Sequence, residues 1–114
     1  MRTIEIIDIL NSLEDSKRQL DSLTIELANT SKNKANIERE YNRRLEFELE
    51  KARQEKIQMA IVKEIVKSRM ADLIFEIHMI EAKENYLLNK IRNERSNADI
   101  LRSIFAFKRE ELKL

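Results

Sequence analysis

The chain has 114 residues, with 22 Lys and Arg against 21 Asp and Glu for a net charge of +1, and it contains no Gly, Pro or Cys. Without Cys there are no disulfides or thiolate metal sites, and nothing points to an oxidising compartment. With 38% charged and 5% aromatic residues, the side chains that build large cores are scarce. Reversals must rely on Asn, Ser, Asp or Thr in place of Gly and Pro, which limits sharp turns to one or two. The composition therefore predicts one all-α domain over residues 1–114, an elongated helical hairpin of coiled-coil type. Acids at Glu5 and Asp8 break up the apolar N-terminal residues, so neither a signal peptide nor an anchor is expected. No apolar run exceeds four residues, as at 59–62, far short of the ~20 that span a bilayer.

Ile6, Leu13, Leu20 and Leu27 recur every seven positions, with Leu10 and Leu23 between them, which predicts a first helix from about Thr3 to Ala28. The β-branched Ile4, Ile6, Ile7 and Ile9 could also form a short strand, but no later segment offers it a partner. Residues 29–34 (Asn-Thr-Ser-Lys-Asn-Lys) lose the seam and collect short polar side chains, so they read as the turn. A second seam then runs through Leu45, Ala52, Met59, Val66, Leu73, Ile80 and Leu87, reinforced by Leu49, Met70, Ile77 and Ile91, in a long helical region over about 35–112.

That region has two weak points. Near residues 53–56 the seam carries Lys56 and then Lys63, and near 93–97 it thins, with Ser96 placed as an N-cap three residues before Asp99. A first helix ending at Ala28 is too short to cover the second seam. Either the long helix breaks and folds back on itself, or other copies of the chain supply the missing face. Because the seam continues across the break, Met59, Val66, Met70, Leu73, Ile77, Ile80, Leu87 and Ile91 are expected to form an interface with other copies.

Catalytic motifs are missing: there is no Gly-rich phosphate loop and no Gly-flanked serine, and the single histidine, His78, has no second histidine a turn away. His78 reads as a seam-edge residue bonded to a carboxylate such as Glu81 or Glu84. The acids fall into helix-surface pairs such as Glu14 with Arg18 and Glu40 with Arg44. No enzyme activity, cofactor, metal or small-molecule substrate is expected.

Charge is arranged in alternating blocks: net −3 over residues 1–31, +4 over 32–69, −3 over 70–88 and +3 over 89–114. Lys32, Lys34, Arg39, Arg43 and Arg44 lie close enough to hold phosphates, although Glu38, Glu40, Glu46 and Glu48 are interleaved and could instead tie them into a salt-bridged, solvated face.

From about residue 35 onward, Glu40-Tyr41, Ile65-Val66-Lys67-Ser68-Arg69, Ala71-Asp72-Leu73 and Asp99-Ile100-Leu101-Arg102-Ser103 give the chain a layout that resembles small all-helical tailed-phage proteins of the recombination and replication region, the UvsY-like recombination mediators. That resemblance implies a homo-oligomer that organises single-stranded DNA and helps to load a recombinase, in the host cytoplasm and without catalysis. It also implies Arg39, Arg43, Arg44, Lys63, Lys67 and Arg69 as backbone-binding residues. The alternative is a coiled-coil adaptor, chaperone or inhibitor that contacts only protein.

Overall fold

The computed structural model describes residues 5–113 and is all-α, with α1 over Ile6–Gln54, α2 over Met59–Arg69 and α3 over Ala71–Lys113. The expected helix start at Thr3 lies outside the described residues. Two compact units form: the first joins α1 through Ala28 with α3 from Tyr86 onward, and the second comprises Asn29–Asn85. No helix among the described residues is long and apolar enough to cross a membrane.

The turn expected at 29–34 is not there, because α1 runs straight through it. Along α1, the buried and half-buried residues Ile9, Leu13, Ser16, Leu20, Leu23, Leu27, Thr30, Lys34, Ile37 and Tyr41 follow alternating steps of four and three. Thr30 and Lys34 are thus seam positions occupied by polar side chains. Thr30 is buried, and Lys34 reaches Glu84 of α3 at 3.2 Å. Low helix propensity costs only a few tenths of a kcal/mol per residue, and without Gly or Pro nothing here is strong enough to end a helix. At the N-terminal end the structure buries Ile9 and leaves Leu10 exposed, the reverse of the expected fill-in position.

The reversal falls instead at the first weak point, between Gln54 and Met59. Ile57 N–H donates to the Ala52 carbonyl and Lys56 N–H to the Arg53 carbonyl, both at 3.1 Å, while Lys56 takes φ 57°. This is the Schellman pattern, with Lys56 where Gly would ordinarily sit. Ile57 packs back on the core that contains Ala52, supplying the hydrophobic contact that accompanies such caps. Gln58 then caps α2 in extended geometry, its carbonyl accepting from Ile61 and Val62.

In the second unit, Ala52, Val66, Met70 and Leu73 form a buried cluster, flanked by Ile37, Tyr41, Leu45 and Leu49 of α1. The stripe expected to need other copies is therefore covered by the chain itself. Val66, Met70 and Leu73 are buried in this unit, Leu87 and Ile91 are buried in the first, and Ile77 and Ile80 are half-buried. Met59 alone of the expected interface residues stands clear, at 90% exposure. The lysines expected at core-type positions, Lys56 and Lys63, are exposed.

The second expected break, at 93–97, does not occur, since α3 continues to Lys113. The seam thins there because its inward residues are the half-buried Glu94 and the small, buried Ala98. A break the sequence does not announce lies at Met70, between α2 and α3. Its N–H is shared between the Val66 and Lys67 carbonyls, and the helix resumes with Ile74 N–H donating to the Met70 carbonyl.

Candidate functional site

Polar side chains in the second unit take three distinct roles. One cluster closes the seam between α1 and α3. Ser31 Oγ donates to Glu84 Oε2 at 2.7 Å, and Lys34 Nζ lies 3.2 Å from Glu84, 4.0 Å from Glu81 and 3.8 Å from Glu38. The Ser31 hydroxyl and then Lys34 hold the Glu84 carboxyl below its ordinary pKa, while bonding to Glu84 raises that of Lys34. A second cluster sits beside the turn, where Arg69 pairs with Glu55 at 2.8 Å and with the buried Glu48 at 3.6 Å. Its hydrogen bond lowers the Glu55 pKa. Both clusters are spent on joining helices.

A third group of cations is left unpaired. Arg39, Arg43 and Arg44 are exposed along one face of α1, where with Asn36, Glu40 and Phe47 they line one open depression. None of the three makes an ion pair among the described residues: Lys34 takes Glu38, Arg69 takes Glu48, and no Glu40–Arg44 bridge forms. Nor does the expected Glu14–Arg18 pair, since Arg18 approaches Asp15 at 3.8 Å instead. Phe47 is 63% exposed at the end of this face, a flat apolar surface one helical turn beyond Arg43 and Arg44. Sequence reading passed over Phe47 because its position follows no heptad.

Lys63 and Lys67 belong to a different surface. A depression of about 330 Å³ lies between α1 and α2, with Leu45, Leu49, Val66 and Met70 in its lining and Lys63 and Lys67 at its edge. It shares Leu49 and Lys63 with a smaller hollow that ends at Met59, and Tyr41, Lys67 and Ile74 with another that ends at His78 and Glu81. The three hollows adjoin through these shared residues and form a groove along the second unit, most apolar between α1 and α2. Lys63 and Lys67 make no ion pair among the described residues. Arg69, the sixth expected backbone-binding residue, lines none of the three hollows and is held by Glu48 and Glu55.

His78 opens onto the end of this groove near Glu81 and makes no hydrogen bond or ion pair among the described residues, so the expected carboxylate bond is not formed. No group of three or more His, Cys, Asp or Glu among the described residues could hold a metal ion. Comparison with known proteins finds no matching family model, curated protein or solved structure.

Proposed function

We propose that this chain is a non-enzymatic helical accessory protein that binds the phosphate backbone of single-stranded nucleic acid through the Arg39, Arg43 and Arg44 face of α1. The supporting observation is that these guanidiniums are exposed on one face and unpaired, although carboxylates are interleaved with them in sequence. An unpaired guanidinium offers its full fork of donors to a phosphate, whereas one already bridged to Glu must first break that bridge. Phe47 supplies a stacking surface for an unpaired base, a contact that does not depend on sequence. In the wider form of this reading, which rests on the sequence resemblance, the protein arranges single strands for a recombinase.

A titration of the purified protein with single-stranded oligonucleotides over a range of salt tests the proposal. Three phosphate contacts should give a log–log slope near about −2, at roughly 0.7 counterions released per contact. Reversing Arg39, Arg43 and Arg44 to Glu should abolish binding with helicity intact. No binding at low salt, or an unchanged slope in the reversed variant, would overturn it.

The apolar groove favours a second reading, a protein–protein adaptor with no nucleic-acid contact. In that case the Arg39, Arg43 and Arg44 variant should behave as the parent, and substitutions in the groove should carry the phenotype.

A further inference from the structure

The groove with Lys63 and Lys67 at its edge has a complement elsewhere in the same unit. On the exposed side of α3, Phe75 and Met79 stand 65% and 55% exposed, four residues apart and hence on one face of the helix. Asp72 and Glu76, also four apart and exposed, flank them and make no ion pair among the described residues. The two surfaces are opposite in every respect that matters for docking. One is concave and apolar with two free ammonium groups a helical turn apart. The other is a convex helix face, apolar along its middle, with two free carboxylates at the same spacing.

We propose that the Phe75 and Met79 face of one copy seats in the groove of a second copy. Phe75 and Met79 would enter over Leu45, Leu49 and Met70, and Asp72 and Glu76 would pair with Lys63 and Lys67 at the rim. This association does not rest on the nucleic-acid reading, because none of the residues belongs to the Arg39, Arg43 and Arg44 face.

Two considerations select a second copy as the occupant. The groove calls for an amphipathic helix with an acidic flank, the helix-in-groove mode of recognition, and this chain displays such a helix on its own surface. Charge at the rim also separates right from wrong pairings: groove against groove would bring four ammonium groups together, and outer face against outer face four carboxylates. Groove against outer face is the pairing that matches. Because the two surfaces differ, the contact is heterologous, and each added copy brings a free groove and a free outer face, which gives a ring where the rotation closes and an open filament where it does not.

The test is a charge-swap with mixing, read by light scattering and sedimentation at tens of micromolar in low salt. The parent should self-associate, and the association should weaken as salt rises. Lys63→Glu with Lys67→Glu puts like charges across the contact, as does Asp72→Lys with Glu76→Lys, so each double variant alone should associate at least about tenfold more weakly. Mixed together, the two variants should associate again, since the intact groove of one meets the intact outer face of the other. All four substitutions are on exposed positions, and circular dichroism confirms that each variant is folded. Phe75→Ser is a further variant that weakens association without touching charge. A parent that stays monomeric, double variants that associate as the parent does, or a mixture that fails to recover would each overturn the proposal.

Discussion

Replacing Lys56 with Gly should stabilise the protein. Lys56 is the positive-φ residue of the reversal between α1 and α2, at φ 57°. For a residue with a Cβ, this left-handed conformation costs roughly 1–2 kcal/mol, a penalty that Gly escapes. Gly loses more freedom on folding, which takes back roughly 0.5–1 kcal/mol, and the Lys56 ammonium is exposed with no ion pair to forfeit. The net expectation is a gain of about 0.5–1 kcal/mol, or a rise of a few degrees in melting temperature for a chain of this size. Urea unfolding followed by far-ultraviolet circular dichroism measures it. Lys56→Ala controls for the lost charge and should leave stability near that of the parent, because Ala keeps the Cβ. Lys56→Val should fall below both, since a β-branched residue is still less tolerant of positive φ. If Gly and Ala stabilise equally, the gain comes from removing a charge, and the Schellman account of the turn is wrong.

Other substitutions separate the seam from the surfaces. Met70→Ala removes a side chain that is only 1% exposed between the two halves of the reversal, and should cost about 2–5 kcal/mol in urea unfolding. Ser16→Ala removes a buried hydroxyl oxygen that has no hydrogen-bond partner, and should be neutral or stabilising by up to about 1 kcal/mol. Glu84 and Glu55 both have depressed pKa values, so the stability they contribute is fully present above the unfolded carboxyl value and is lost as pH falls through their lower folded values. The urea midpoint of the parent should accordingly drop on acidification, and Glu84→Gln should start lower at neutral pH and drop less. Glu40→Gln removes the one carboxylate from the Arg39, Arg43 and Arg44 depression and should tighten single-strand binding in the same titration that tests the arginines.

Much of the fold was legible because heptad spacing survives in a sequence with no other strong signal. The seam through Leu45, Leu73 and Leu87, the helical class and the weak point near Lys56 all came from that spacing and are present in the structure. Residues 29–34 were misread for a physical reason. A cluster of Asn, Ser, Thr and Lys is a turn when its side chains serve the local backbone, and a seam layer when they meet partners across the interface. Ser31 and Lys34 meet Glu84, which lies 53 and 50 residues further along the chain, beyond the reach of any local pattern. Met70 failed in the opposite direction, because nothing in its neighbourhood resembles a helix breaker.

That single misreading propagated into the expected assembly. A first helix ending at Ala28 would have left Val66, Met70 and Leu73 uncovered, to be buried either by a fold-back of the long helix or, as favoured, by a second copy. Once α1 continues to Gln54, its own Ile37, Tyr41, Leu45 and Leu49 pack on that cluster, and a heptad stripe no longer implies another molecule. A stripe records the need for a facing helix and is silent on whose helix it is. What can still call for another chain are apolar surfaces that remain outside the closed seam, the groove and the Phe75 and Met79 face among them. The basic residues divide along the same line. Lys34 and Arg69 lie where two helices meet and are consumed in holding them, whereas Arg39, Arg43, Arg44, Lys63 and Lys67 lie outside the seam with their charge unspent. In a protein with nearly as many carboxylates as cations, function should therefore be sought among the charges that folding leaves unpaired, and net charge is a poor guide to them.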